Sequence, residues 1–328
     1  MMLVLDAART REHLPFGALI ATLRERFAGA CEVPTRHAHT IGTPHGDGTL
    51  LLMPAWRPGA RLGIKAVTIF PGNRDIGLPS LHGTYLLLDA TTGQPLAQLD
   101  GTEITSRRTA AASALAASFL ARADAQRLLV VGAGRVAALI PEALRQVRPI
   151  ARVEVWNRTA GRADALVRAW REAGWDAHRC PELERGTRDA DIVCCATLST
   201  EPLIAGHWLA PGTHLDLIGS FTPAMREADA ACFAHSRVYV DTREALVKSG
   251  DMIQAREEGA FAEDDLQGTL SALCRGQRTG RQSATERTLF KSVGTALEDL
   301  AAAELVFDAA EARRAWPGDP LSPTTLPP

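Results

Sequence analysis

Leu128-Leu129-Val130-Val131-Gly132-Ala133-Gly134-Arg135-Val136-Ala137 is followed, one helical stretch later, by Val153-Glu154-Val155-Trp156-Asn157-Arg158-Thr159. Four apolar residues running into Gly-x-Gly-x-x-Ala read as a buried parallel strand that turns sharply into a helix. The free N–H groups and positive dipole end of such a helix can hold a pyrophosphate. Gly132, Ala133, Gly134, Arg135 and Val136 are therefore the candidate pyrophosphate-binding residues, and a dinucleotide cofactor is the expectation. The adenosine ribose would lie at the end of the second strand, where an Asp or Glu would favour NAD. Here Asn157, Arg158 and Thr159 stand instead. Arg158 can fork onto a 2′-phosphate, Thr159 can add a hydroxyl and Asn157 can reach a ribose oxygen. The reading is NADP, with NAD as the alternative; the other reading of Arg158 is a solvated surface arginine. Pro141 falls inside the helix after the glycine turn, where it lacks a donor and clashes at a cost of about 3 kcal/mol, so a kink is expected there.

The chain has 328 residues, long for one core and comfortable for two domains. A net charge of −2 gives no long-range field toward nucleic acid or an anionic membrane, so neither is expected as a partner. The N-terminus meets Asp6 too soon for a secretory apolar region, and no apolar run reaches the ~18 residues of a membrane span; the expectation is a soluble, cytoplasmic protein. The six cysteines, Cys31, Cys180, Cys194, Cys195, Cys232 and Cys274, show no metal-ligand spacing and read as reduced structural thiols. The nine histidines are scattered, so no zinc site is expected.

Working outward from the glycine turn, the first third is turn-rich and strand-like, with β-type runs at Thr49–Pro54, Leu62–Phe70 and Thr84–Asp89. From Thr105 or Ser106 to about Ala123 the sequence becomes Ala-rich and helical. Beyond Thr159, the strand-like runs Ala190–Ala196, Thr213–Ser220 and Arg237–Asp241 alternate with helical segments. The implied fold class is α/β, a Rossmann-type doubly wound parallel sheet beside an α+β domain. A long amphipathic helix is expected between Glu286 and about Ala310, and the Pro-rich tail from Pro317 to Pro328 is expected to be disordered.

Lys65 interrupts an apolar strand. If Leu62, Ile64, Ala66 and Thr68 share one face, Lys65 points with Gly63, Val67 and Ile69 on the other, which favours a polar cavity over water; the alternative is a snorkelling surface lysine. Arg107 and Arg108 open the Ala-rich helix, the wrong end for cations, and so point to a bound anion with Arg108 facing the ligand. The alternative is that one or both pair with Glu103 or Asp100.

Gly63-Ile64-Lys65-Ala66-Val67, Pro71-Gly72-Asn73, Gly77-Leu78-Pro79-Ser80, Asp100-Gly101, Ile104-Thr105-Ser106-Arg107-Arg108-Thr109-Ala110-Ala111 and Gly219-Ser220-Phe221-Thr222-Pro223 with Arg226-Glu227 together resemble the ornithine cyclodeaminase/mu-crystallin family over nearly the whole chain. The resemblance implies a substrate-binding and dimerisation domain from residues 1–118 with 303–328, a Rossmann domain from 119–302, and a homodimer. It implies that Lys65 and Arg108 hold a substrate carboxylate, with Arg36 as a further carboxylate contact. The nicotinamide is then expected between the domains, near Gly219, Ser220 and a Lys291-Ser292 turn of the returning helix. The other reading of Lys291 is a solvated helix lysine.

Members that cyclise ornithine carry an acid before the Leu-Met-Pro segment and an aspartate after the fourth Rossmann strand. Leu51 and Phe221 stand in those places. Without a positioned carboxylate the distal amine of ornithine loses its proton acceptor, unless Asp216 or Asp75 substitutes. The resemblance therefore implies an NAD(P)H-dependent reductase of a small α-imino carboxylate, with Lys65 catalytic. Ornithine cyclodeaminase and a non-catalytic NADPH-dependent ligand-binding protein are the alternatives.

Overall fold

The computed structural model describes residues 2–44 and 46–314. The chain opens with β1 (Leu3–Leu5), α1 (Ala7–Glu12) and α2 (Phe16–Ala28). Five strands follow: β2 (His37–Ile41), β3 (Gly48–Trp56), β4 (Arg61–Ile69), β5 (Leu81–Asp89) and β6 (Pro95–Asp100). Helix α3 (Gly101–Leu120) leads to β7 (Arg127–Val131), α4 (Arg135–Arg145), β8 (Arg152–Trp156), α5 (Ala160–Glu172), β9 (Asp176–Arg179) and α6 (Leu183–Asp189). Then come β10 (Ile192–Cys195), β11 (His214–Leu217), α7 (Ala231–Ala234), β12 (Ser236–Val240), α8 (Ala245–Lys248) and α9 (Gly250–Glu257). The last elements are β13 (Leu266–Thr269), α10 (Leu270–Cys274), β14 (Arg287–Lys291) and α11 (Ala296–Arg314).

Two compact units result. One runs to Arg108 and resumes at Ala296; the other is Thr109–Thr295. These divisions fall ahead of the expected 118/119 and 302/303, because α3 carries the first division within it and α11 joins the first unit from its opening residue.

The first unit is built on a six-stranded sheet in the order β1-β6-β5-β4-β3-β2, antiparallel except for β1 on β6. Alternation puts Met53, Lys65 and Tyr85 on one face in direct cross-strand register, with Ala55 and Leu87 beside them. That face is buried under α11, which also packs on α2. On the other face Leu52, Ile64 and Leu86 are only half-buried.

Helix α3 starts at Gly101, not at Thr105 or Ser106. The Asp100 carboxylate accepts from the Glu103 N–H at 2.7 Å, so Asp100-x-x-Glu103 is the N-terminal cap. Arg107 and Arg108 therefore lie well inside the helix, and the expectation that they open it is corrected. At the other end of the chain, 287–291 is a strand and the helix begins only at Ala296. The three-residue run Thr288-Leu289-Phe290 between Arg287 and Lys291 reads equally as strand or helix, and the sheet decides. Nor is α11 amphipathic through its first three turns: Leu297, Leu300, Ala301, Ala302 and Ala303 are buried together with Glu298, Asp299 and Glu304. The expectation for 317–328 lies outside the described residues.

The second unit carries an eight-stranded parallel sheet, β13-β12-β14-β11-β10-β7-β8-β9. Strand order reverses between β7 and β10, the switch point of a doubly wound fold, where ligands bind outside the carboxyl ends of the strands. The core of this unit is apolar, with Leu129, Val131, Val193, Leu215, Leu217 and Leu289 all buried. Helix α4 continues through Pro141, which is itself buried. Among the described residues no helix is long and apolar enough to cross a membrane.

Candidate active site

In the second unit the glycine turn sits at the switch point. Gly132 has φ +113, and a Cβ there would lie 2.6 Å from the Ala196 carbonyl, so both backbone conformation and the neighbouring loop demand glycine. Gly134 is the N-cap of α4 and supplies no side-chain cap to its N–H groups. A Cβ on Gly134 would meet nothing within 4 Å, which leaves an open cradle over an uncapped helix start. These are the features a pyrophosphate requires, and the residues present fit a dinucleotide. At the end of β8, Asn157 donates to the Thr159 carbonyl at 3.0 Å. Arg158 is exposed, and Thr159 heads α5 without spending its hydroxyl on the cap. Arg135 is also exposed, and Val136 is half-buried.

Gly219 is forced by a close approach: a Cβ would lie 1.9 Å from the Thr197 carbonyl. Glu227 ties these loops together, accepting from the Thr197 N–H at 2.7 Å and from the Gly219 N–H at 2.6 Å. Burial pushes the Glu227 carboxyl up to about 7 against the pull of Lys291. Asp251 in turn accepts from the Glu227 and Ala228 N–H groups. The Ser220 hydroxyl is turned inward, donating to the Met225 carbonyl at 2.6 Å and meeting Ser249 at 3.0 Å. Lys291 is neither on a helix turn nor solvated. It ends β14, is fully buried, and lies 3.4 Å from Asp251. Asp216 is likewise buried in β11, where it accepts from the Cys194 thiol at 3.1 Å. All six cysteines are free.

In the first unit Lys65 is where alternation places it, on the buried face of β4 and 2% exposed. Its ammonium lies 2.6 Å from Asp299 and donates to the Thr105 hydroxyl at 3.3 Å. Arg108 donates through Nε to Asp299 at 2.9 Å and through Nη1 to Glu298 at 2.5 Å. The two cations thus converge, but on a shared carboxylate of the chain itself. The alternative partners Glu103 and Asp100 are otherwise engaged: Arg11 forks onto Glu103 at 2.8 and 3.1 Å, and Asp100 caps α3. Arg107 donates to the Leu14 carbonyl and lies over the Phe16 ring. Arg36, one residue before β2, is half-buried.

Electrostatics follow from this packing. Burial drives the Lys65 ammonium down to about 8, while Asp299 pulls it up and Arg108 pushes it further down. Burial also opposes the charge on Arg108, but Asp299 and Glu298 outweigh it and hold the guanidinium above its ordinary value. Asp299, equally buried, is kept below its ordinary value by Lys65 and Arg108. Glu298 and Asp299 were not foreseen from the sequence, although two acids in the apolar run from Val293 to Ala303 are the same kind of signal as a lysine in an apolar strand.

A chain with a Rossmann-type dinucleotide-binding unit and a sheet unit that buries a Lys–Arg–carboxylate cluster falls in the α/β class of nucleotide-binding proteins. Residues 3–314 match the sequence model of the ornithine cyclodeaminase/mu-crystallin family, and the chain belongs to it. An uncharacterised protein of Schizosaccharomyces pombe is 47% identical over 302 residues, 88% of this chain and 92% of its own. The Δ1-pyrroline-2-carboxylate reductase of Paracoccus denitrificans is 40% identical over 268 residues, 81% of this chain and 84% of its own. The structure of Thermococcus litoralis Δ1-pyrroline-2-carboxylate reductase, in complex with NADH and L-proline, superposes with a TM-score of 0.89 at 32% identity, covering 95% of this chain and 98% of that one.

Proposed function

We propose that this protein is an NAD(P)H-dependent reductase of small α-imino carboxylates, with Δ1-pyrroline-2-carboxylate as the first candidate substrate. The observation that carries the reading is the convergence of Lys65 and Arg108 on one buried point, supported by reductases among the relatives. A nicotinamide, when bound, would supply the hydride that C2 of the imine needs. The chain supplies the rest. Arg108, with Arg36, grips the substrate carboxylate through charge-assisted bonds. Lys65, an ammonium poised at about 8, gives a proton to the imine nitrogen as C2 accepts the hydride. The product is the L-amino acid, and the resulting Lys65 amine regains its proton from water.

Gly132, Ala133, Gly134, Arg135 and Val136 would hold the pyrophosphate, and Gly219 and Ser220 the nicotinamide side. Because its hydroxyl is committed inward, Ser220 would act through its backbone. Lys291 would act only through the buried network that links it to Asp251 and the 227–228 backbone. Arg158 and Thr159, with no carboxylate beside them, favour NADP, whereas the Thermococcus relative carries NADH. The half-buried apolar sheet face around Leu52, Ile64 and Leu86 fits a homodimer contact. The first unit would then be the substrate-binding and dimerisation domain.

The test is steady-state oxidation of NADPH and NADH by the purified protein against Δ1-pyrroline-2-carboxylate and other cyclic imines, alongside L-ornithine with NAD. The reading expects oxidation with an imine and no ammonia from ornithine. Ammonia and proline from ornithine would instead make it a cyclodeaminase, and cofactor binding without turnover a binding protein.

A further inference from the structure

Three elements bring charge to one point in the first unit: β4 delivers Lys65, α3 delivers Arg108 and Thr105, and α11 delivers Glu298 and Asp299. Asp299 is the residue common to both cations. One carboxylate oxygen lies 2.6 Å from the Lys65 ammonium and the other accepts from Arg108 Nε at 2.9 Å, with Asp299 fully buried. We propose that Asp299 is a positioning residue for imine reduction, fixing the proton-donating ammonium of Lys65 and the carboxylate-binding guanidinium of Arg108 in one geometry. This rests on the reductase reading above.

Hydrogen counting gives the arrangement its direction. The Thr105 hydroxyl spends its single hydrogen on the Gly101 carbonyl at 2.7 Å, so it can only accept from Lys65. An ammonium has three hydrogens; among the described residues Thr105 accepts one, and Asp299 meets the ammonium as an ion pair at 2.6 Å. At least one hydrogen is left for a ligand. Arg108 commits Nε to Asp299 and Nη1 to Glu298, which leaves Nη2 as the edge that can meet a substrate carboxylate. A lysine with only solvent around it would choose among many rotamers; here the rotamer that presents its spare hydrogen is held from behind.

The charge of Asp299 also sets when Lys65 holds its proton. The charged groups acting on Lys65 are Asp299 and Glu298 from α11 and Arg108 from α3; its cross-strand neighbours are Met53 on β3 and Tyr85 on β5, whose buried hydroxyl lies against Gly63. Further along α11, Glu304 is held by Arg26 and Arg57. Arg108 lowers the proton affinity of Lys65 and the two acids raise it. Neutralising Asp299 must therefore lower that affinity.

The experiment compares kcat/KM for NADPH-dependent reduction of Δ1-pyrroline-2-carboxylate across the neutral and alkaline range in wild type, Asp299→Asn and Asp299→Glu. In wild type the rate falls as pH rises past the Lys65 value. For Asp299→Asn the expectation is a loss of roughly ten- to a hundredfold, with this alkaline limb moved down by about one pH unit or more. Asp299→Glu, which keeps the charge, should return the limb toward its wild-type position. If Asp299→Asn does not fold, Asp299→Glu carries the test, expecting a lower kcat at a nearly unmoved limb. A folded Asp299→Asn enzyme with an unmoved limb, or an Asp299→Glu enzyme at full kcat, would overturn the proposal alone. Wild type without turnover on any imine would instead remove the reductase reading.

Discussion

The guanidinium of Arg108 and the carboxylate of Glu298 meet at 2.5 Å, the first 7% and the second 1% exposed, in a cluster that closes on Asp299 and Lys65. Two cations and two anions balance there. Such a cluster contributes little net stability as a whole, yet loses much when one member is removed, because the remaining charges stay buried.

Arg108→Ala should therefore cost about 3–5 kcal/mol of stability, seen as a lower midpoint in urea unfolding. Adding Glu298→Gln in the same chain should recover part of that loss. Independent, additive losses would mean that the two groups do not hold each other.

In the second unit the buried acids Asp216 and Glu227 sit above their ordinary values, at about 6 and about 7, because burial disfavours their charge. An acid raised on folding contributes stability that is complete below its unfolded value and is lost as pH rises through its folded one. Asp216→Asn removes that titration. Relative to wild type it should gain up to about 3 kcal/mol between acid and mildly alkaline solution, read by urea unfolding on either side of the window. An unchanged difference would place the Asp216 charge in water.

The proposed preference for NADPH rests on Arg158. Losing one charge-assisted contact to a 2′-phosphate costs about 1.5–3 kcal/mol, so Arg158→Ala should weaken NADPH about ten- to a hundredfold and leave NADH unchanged. Titration of both cofactors measures the ratio. A constant ratio would return Arg158 to the surface.

The half-buried face of the six-stranded sheet gives a fourth expectation. Ile64→Glu, on the opposite face from Lys65, should shift sedimentation toward the monomer. An unaltered mass would put any dimer contact elsewhere.

Much of this was legible in the sequence, and what was missed has physical causes. Gly132 and Gly134 stand out because a strand-to-helix turn and a phosphate each restrict the residue type, and the period of a strand is enough to turn Lys65 inward. Arg108 stands out in the sequence as a cation at a helix start, but the Asp100-x-x-Glu103 cap moves that start back to Gly101, and Asp299 and Glu298 balance the buried cation. Glu298 and Asp299 carry no signal as long as the segment reads as an amphipathic helix, because two acids on an exposed face are ordinary. Only the tertiary fold shows that both are buried. The strand that ends at Lys291 is not legible because Thr288-Leu289-Phe290 is too short a run to show a period.

The most direct test is the rate of Δ1-pyrroline-2-carboxylate reduction by Lys65→Ala, beside wild type and with NADPH binding measured on both. Wild type should turn over and the variant should lose about a hundredfold or more, with NADPH still bound. Equal turnover in the two proteins would contradict a catalytic role for Lys65.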